Sequence, residues 1–379
     1  MTDSTSKRDD ESFNKYHWYT PKFWDGMRTR TWFRIMWRHR FAWSLSRLSI
    51  PLGSLFFLPV HSFFHRWQEL RWRRRAEAEP IRHPPLFILG HWRSGTTFLH
   101  ELMILDVRHT FPTTYDCFSP TDFLSTANFV HRWFGFVIPQ RRPMDNMAAG
   151  WDRPQEDEFA LMNLGLPSIY ETLAFPKHGA QNLNYLDFEG LTEAEVRRWK
   201  DGLKWFLQRL DFRDPRRLVL KSPPHMARIK VLLDLFPDAK FVHIYRDPYD
   251  VFASSRRLWA ALFETQSCQV PRFADLDEFV LSSFERLYDS FEKQRSLISA
   301  GNFCEVRYAD LVADPVGRIE DIYRQLDLGG FADARSAIQG HVDFLGDYQV
   351  NRNELTAEQR AQVTRRWKDY FLKYGYAES

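Results

Sequence analysis

The chain has 379 residues, of which 44% are hydrophobic, so it is long enough to bury a large core. Its net charge is only +3, from 52 basic and 49 acidic residues, which excludes a uniformly basic or acidic protein. The three cysteines are few, odd in number and scattered, a usage that argues against a disulfide framework or a zinc site and favours a reducing cytoplasm: Cys117, Cys268 and Cys304.

The first 80 residues differ in composition from the rest. They carry 15 lysines and arginines against 8 acids, and they hold seven of the 14 tryptophans. Residues 1–12 are polar and typical of a disordered tail. We therefore predict a basic, Trp-rich helical extension over residues 1–80, followed by one enzyme domain over residues 81–379, since no Gly/Ser/Pro-rich linker divides the middle of the chain.

The extension has three interpretations. Six arginines alternate with apolar residues between Arg28 and Arg47, an uncharged stretch runs from Leu48 to His65, and a basic run covers Arg71 to Arg75. This pattern favours peripheral contact with a membrane through residues 28–75 or a helical cap that frames an acceptor pocket. A true span is the weakest interpretation, because the stretch is short and interrupted by prolines. The extension contains no groove-reading motif that would support nucleic-acid binding.

The next element is an apolar strand at 86–89, followed by Gly90-His91-Trp92-Arg93-Ser94-Gly95-Thr96-Thr97 and an apolar helix over 95–105. Glycines permit the sharp turn and the close approach of backbone to a ligand. The N-terminus of the following helix favours an anion. The spacing is similar to a Walker A loop, but Thr96 stands where that loop needs its lysine, and the basic residue is Arg93. The pattern predicts a phosphate cradle.

Three acids follow at a predicted helix start, within the segment from Arg153 to Leu161. Acids at this position are stabilised by the helix dipole whether or not they have a catalytic role. The competing interpretation is that Glu156 or Asp157 accepts a proton from a substrate.

Two further strands end in basic residues. The strand at 217–220 leads into Lys221, and the strand at 240–245 leads into Arg246. Asp247-Pro248 then suits a helix start, and Ser254 lies eight residues after Arg246. Strands at 86–89, 217–220, 240–245 and 303–306 alternate with helices at 95–105, 224–236, 248–259 and 315–326. This alternation predicts an α/β fold, a P-loop-type parallel β-sheet flanked by helices, with its site at the carboxyl ends of the strands.

Together these segments, from Leu86 to Tyr376, resemble the sulfotransferases that use 3′-phosphoadenosine 5′-phosphosulfate (PAPS). The resemblance implies that the 5′-phosphate is held by the loop, namely by Arg93, Ser94, Gly95, Thr96 and Thr97. It implies that Arg246 and Ser254 hold the 3′-phosphate and that Lys221 contacts the sulfuryl group. The spacing of Lys221 and Arg246 is similar to that in protein-tyrosine sulfotransferases. A late loop, with Asn351 and Arg352, is expected to add a contact to the nucleotide.

The resemblance leaves the general base open, because members of the family use either His or Glu. Cytosolic members carry a catalytic His two residues after the lysine, whereas His225 lies four residues after Lys221. We rank Glu156 first, His225 second and Asp157 third.

The function implied is transfer of a sulfuryl group from PAPS to a hydroxyl or amine of a small-molecule, glycan or lipid acceptor, without a metal. The alternative is a P-loop kinase or nucleotide hydrolase. It is disfavoured because Thr96 replaces the Walker lysine and no strand end offers a clear Mg-binding aspartate. An inactive anion-binding module would be expected to lack Lys221 or Arg246, and both are present.

Overall fold

The structure is a computed structural model, and it describes residues 20–139, 149–345 and 355–377. The predicted polar tail, together with Asn351 and Arg352, lies outside these ranges.

A five-stranded parallel sheet forms the centre of the fold, in the order β2-β3-β1-β4-β5. Its strands are β1 (Leu86–Leu89), β2 (His109–Thr110), β3 (Arg217–Lys221), β4 (Lys240–Tyr245) and β5 (Phe303–Arg307). The predicted α/β fold and the four predicted strands are confirmed. The sequence analysis missed β2, because two residues are too few to show a periodic pattern.

Helices surround this sheet. The described ranges contain α1 (Thr29–Arg38), α2 (Ser49–Ala78), α3 (Thr96–Met103), α4 (Thr114–Phe118), α5 (Phe123–Trp133), α6 (Asp157–Leu164), α7 (Glu171–Ala174), α8 (Glu193–Arg213), α9 (Ile229–Leu235), α10 (Pro248–Gln266), α11 (Leu276–Gln294), α12 (Tyr308–Ala313), α13 (Pro315–Gln325), α14 (Phe331–Leu345), α15 (Ala357–Arg366) and α16 (Lys368–Tyr374).

Local chemistry explains where several helices begin. The Asp247 side chain accepts from the amides of Tyr249 and Asp250, and Pro248 occupies the first position of α10, as predicted. The predicted helix at 224–236 is instead a 3₁₀ turn (Pro223–Ala227) followed by α9. Two consecutive prolines lack backbone donors and favour this short turn over a continuous α-helix.

The register of the sheet places the predicted site residues side by side. Ile88 of β1 pairs with Lys221 of β3, and Leu89 pairs with His243 of β4. The loop after β1, the end of β3 and the turn after β4 therefore meet at one edge of the sheet, the carboxyl edge, where ligands bind in open parallel sheets.

The extension is helical and packs into the main core. Trp32 and Leu58 are buried and belong to the same hydrophobic cluster as residues of α6 and α8. The buried Arg209 of α8 pairs with Glu69 and Glu77 of α2 at 2.7 and 3.1 Å. These contacts agree with a cap docked on the enzyme, while the division at residue 80 stays a prediction. No helix in the described ranges is long and apolar enough to cross a membrane.

Candidate active site

The glycines of the loop after β1 let its backbone pack closely against neighbouring parts of the protein. A Cβ at Gly90 would lie 2.8 Å from the carbonyl oxygen of Ile244, and Gly95 has a φ of +104°, a conformation that favours glycine. The Ser94 hydroxyl donates to the carbonyl of His91 at 2.8 Å and closes the turn. Helix α3 then starts at Thr96, so its first amides have no partners within the helix and favour an anion.

Arg93 and Ser254 come together at this loop. The Nε of Arg93 donates to the Ser254 hydroxyl at 2.8 Å, and the guanidinium of Arg246 donates to the Arg93 carbonyl at 3.3 Å. Arg93 has a φ of +68°, which is unusual for a residue with a side chain. Residues that are 153 positions apart in the chain thus form one positively charged cluster with two guanidinium groups.

The position of Arg246 is fixed by residues that the sequence analysis did not assign to the site. Its guanidinium stacks 4.4 Å above the ring of Tyr308 and pairs with Asp250 at 3.0 Å. The hydroxyl of Tyr370 accepts from the Arg246 amide and donates to its carbonyl. Tyr308 follows the end of β5, which is a positional signal. Tyr370 comes from the distant C-terminal helix α16, and its sequence context gives no signal.

Lys221 and Glu156 form a second cluster. Lys221 Nζ lies 2.7 Å from one carboxylate oxygen of Glu156, and the two side chains are 4% and 13% exposed. The hydroxyl of Tyr170 donates to the other oxygen of Glu156, and Trp92 Nε1 donates to the same hydroxyl at 2.8 Å. The loop after β1 is therefore connected to Glu156 through one buried tyrosine.

Tyr170 is a further residue that sequence reasoning missed. Burial and the neighbouring charge of Glu156 raise its pKa well above the ordinary value, so it stays a neutral donor. Its ring stacks on Phe159 of α6 at 4.2 Å. It lies in an irregular segment before α7, where a lone tyrosine carries no motif.

Asp157 and His225 form a pair that is sealed inside the protein. His225 Nε2 lies 2.6 Å from Asp157, Ser222 donates to the same carboxylate at 2.9 Å, and both partners of the pair are fully buried. Burial alone would raise the pKa of Asp157. The charge of His225, together with the hydrogen bonds from His225 and Ser222, outweighs the effect of burial and lowers that pKa. Glu158 is also fully buried and pairs with Arg228 at 2.5 Å. Among the three predicted acids, Glu156 alone has an exposed fraction of its side chain.

The structure thus brings together most residues that the sequence singled out. Thr96 is buried and Thr97 half-buried at the start of α3, beside the cluster of Arg93, Arg246 and Ser254. Within the described ranges no group of three or more His, Cys, Asp or Glu side chains is placed to hold a metal ion. The arrangement combines an anion cradle, cationic groups and a carboxylate, which suits transfer of an anionic group to an acceptor that loses a proton.

Comparison with known proteins decides the family. The sequence profile of the sulfotransferase family matches residues 84–333. The chain belongs to the sulfotransferase family. It is 41% identical over 359 residues to the omega-hydroxy-beta-dihydromenaquinone-9 sulfotransferase Stf3 of Mycobacterium bovis and to that of Mycobacterium tuberculosis, an alignment that covers 95% of this chain and 92% of each relative. This sulfotransferase therefore transfers a sulfuryl group to a hydroxyl of an acceptor, and the kinase or hydrolase alternative is set aside.

Two solved structures share the fold. Sulfotransferase STF9 from Mycobacterium avium has a TM-score of 0.66 at 17% identity, covering 92% of this chain and 96% of that one. Sulfotransferase STF1 from Mycobacterium tuberculosis has a TM-score of 0.62 at 22% identity, covering 89% and 90%.

Proposed function

We propose that the sulfuryl donor is PAPS and that the loop after β1 and the turn after β4 hold its two phosphate positions. The observation that supports this most strongly is the contact of Arg93 with Ser254 and Arg246, because it joins the two predicted phosphate sites in one cationic cluster. The first amides of α3, which have no partners within the helix, fit a phosphate bound to the loop. In this proposal Arg93, Ser94 and the Gly95-Thr96-Thr97 amides bind the 5′-phosphate, and Arg246 and Ser254 bind the 3′-phosphate.

When bound, this donor supplies an activated sulfuryl group. Lys221 stabilises the negative charge that develops as the bond between sulfur and the leaving phosphate oxygen breaks. Glu156 accepts the proton of the acceptor hydroxyl as the new bond between oxygen and sulfur forms. Lys221 and Tyr170 each hold one of the two oxygens of this carboxylate, so the base is fixed in place before the acceptor arrives.

We assign a positioning role to the Asp157–His225 pair. Both side chains are fully buried and hydrogen-bonded to each other. Ser222, the residue that follows Lys221, donates its hydroxyl to the Asp157 carboxylate. The Ser222 hydroxyl also accepts from the amide of Glu158 at 3.1 Å. The pair therefore links the end of β3 to the start of α6, and it fixes Lys221 relative to Glu156.

The acceptor in our proposal is a hydroxyl on a lipid. The relatives at 41% identity are named for an ω-hydroxylated dihydromenaquinone, a hydroxyl on a long apolar chain. The many exposed apolar side chains of α2 and α5 suit an enzyme that meets such a molecule. A cytoplasmic location with peripheral membrane contact through residues 28–75 remains part of this proposal.

Calorimetry with adenosine 3′,5′-bisphosphate and AMP tests the donor assignment. The bisphosphate should bind much more tightly than AMP, and Arg246→Ala should weaken its binding by about 2–3 kcal/mol, since a charge-assisted contact is lost. Arg256→Ala is the matched control, because Arg256 lies on α10, the helix that follows Arg246, and pairs instead with Asp277. Equal affinity of the wild-type protein for AMP and the bisphosphate would contradict the assignment.

A further inference from the structure

Helix α2 has an apolar face that nothing in the described ranges covers. Six large side chains on it are 45–82% exposed, with Leu70 and Phe56 the most exposed at 82% and 77%. They recur at intervals of three or four residues, which places them on one side of the helix over about 27 Å. The six residues are Leu52, Phe56, Val60, Phe63, Trp67 and Leu70.

The opposite face of α2 is the one that packs on the protein. Ser54, Leu58, Gln68 and Ala76 are buried, and they lie about half a turn away from the exposed set. The large apolar side chains of α2 thus lie mainly on its outer side, which is expected where that side meets something other than water.

The charges of α2 indicate what that surface meets. No charged residue occurs between Leu48 and His65, and the acids Glu69 and Glu77 pair with the buried Arg209. Arg66, Arg71 and Arg74 are exposed towards the C-terminal end of the helix. An apolar face with arginines beside it complements a bilayer that carries anionic headgroups.

The arginines of the preceding segment have partners inside the protein. Arg34 donates to the carbonyl of Gly165 at 2.6 Å, Arg38 pairs with Glu171 at 2.9 Å and Arg47 pairs with Glu264 at 2.5 Å. Arg28 contacts His65 at 2.9 Å. Four of the six arginines between positions 28 and 47 thus serve to dock the extension, which leaves the apolar face of α2 as the stronger candidate for membrane contact.

We propose that α2 lies in the interface of an anionic lipid bilayer, with its six exposed apolar side chains inserted among the acyl chains. Attachment is carried by apolar insertion, and the arginines add a smaller electrostatic contribution. The purpose of this contact rests on the proposed function, because a lipid-borne hydroxyl must leave the bilayer to be sulfated.

Helix α5 packs against the buried face of α2 and carries exposed aromatic side chains of its own. The amide of Leu124 on α5 donates to Gln68 of α2 at 2.9 Å. Farther along, Phe129 and Trp133 are 59% and 60% exposed at a spacing of four residues. The Trp151 ring nitrogen then donates to the carbonyl of Phe134 at 2.8 Å.

Vesicle flotation of the full chain tests the proposal, with neither donor nor acceptor present. Neutral phosphatidylcholine vesicles and vesicles with added phosphatidylglycerol are compared at low and high salt. The test variant Phe56→Ser/Phe63→Ser/Leu70→Ser should lose about tenfold or more of its partitioning. The control variant Leu297→Ser/Phe344→Ser/Leu372→Ser removes three side chains that are 52%, 86% and 66% exposed elsewhere, and it should float as the wild type does.

The wild type should float with both kinds of vesicle, and high salt should remove only the additional binding to anionic lipid. Wild-type protein that stays with the aqueous fraction, or a test variant that floats as well as the wild type, overturns the proposal. It is also overturned if sedimentation shows a wild-type dimer that the test variant converts to a monomer. Bisphosphate binding, measured in parallel, reports on the donor site and separates a failure of docking from a failure of the proposed function.

Discussion

Glu156 and Asp157 are neighbours in the chain, yet their different surroundings suit them to different roles. Glu156 is partly exposed and held by Lys221 and Tyr170, whereas Asp157 is fully buried against His225. A base must be reachable by the acceptor, and a buried ion pair mainly holds structure in place.

We expect Glu156→Gln to lower the turnover of sulfated product by about a hundredfold or more, because the amide cannot accept the acceptor's proton. Its melting temperature and bisphosphate affinity should change little. Asp157→Asn should instead lower the free energy of unfolding by about 3 kcal/mol or more, since it removes the charge that faces a buried His225. Thermal unfolding and steady-state kinetics of both variants measure this contrast.

The ranking of the bases would be wrong if Glu156→Gln kept the wild-type rate while His225→Gln remained folded and inactive. Such a result would mean that His225 reaches the acceptor through a movement of the turn after β3.

The loop between β1 and α3 depends on a glycine with two roles. Gly95 has a positive φ, and a Cβ there would lie 2.3 Å from the ring of Tyr308, which supports Arg246. Gly95→Ala should therefore lower both stability, by about 1–3 kcal/mol, and bisphosphate affinity. Gly135→Ala is the control, because a Cβ at Gly135 meets nothing within 4 Å. Denaturant unfolding and calorimetry provide the two measurements, and unchanged bisphosphate affinity in the Gly95→Ala variant would contradict this account of the loop.

The loop between β1 and α3 and the neighbouring strand ends could largely be predicted from the sequence. Arg93, Lys221 and Arg246 each follow an apolar strand, and parallel strands bring their ends to one edge, so motif and topology indicate the same site. The contacts of Tyr170 and Tyr370 could not be predicted in the same way. Each depends on a segment that reaches the site from elsewhere in the chain, and a single aromatic residue has no periodic or capping signal.

The roles of individual residues in the N-terminal extension also could not be predicted from the sequence. Its composition indicated contact with a membrane or with the enzyme, but the roles of its arginines depended on distant partners such as Gly165 and Glu171. Only the packed structure separates the arginines that dock the extension from the apolar side chains that remain exposed.

The molecule as a whole should lose stability in acid, in part because it buries neutral histidines. Burial lowers the pKa of His91 to about 3, and it also lowers the pKa of His109. Below about pH 6.5 the unfolded chain therefore binds more protons than the folded one, and stability falls as the pH decreases towards the folded-state pKa. For each such proton the slope approaches about 1.4 kcal/mol per pH unit.

Urea unfolding between about pH 7 and pH 4 measures this loss, since the window lies between the unfolded-state and folded-state pKa values. The midpoint should fall with decreasing pH, and His91→Gln should flatten the decrease, whereas His83→Gln, which removes an exposed histidine, should leave it unchanged. A midpoint that stays constant or rises on acidification would contradict the assignment of His91 as a neutral buried group.

The central claim is that this protein moves a sulfuryl group from PAPS to a lipid hydroxyl with Glu156 as the base. The most direct measurement incubates the wild type and Glu156→Gln with PAPS carrying radiolabelled sulfate and an ω-hydroxylated prenyl quinone in vesicles, followed by extraction of the lipid. Label should enter the lipid with the wild type, and labelling should be at least about a hundredfold slower with Glu156→Gln. Folded wild-type protein that leaves the lipid unlabelled, or a variant that labels it at the wild-type rate, would contradict the claim.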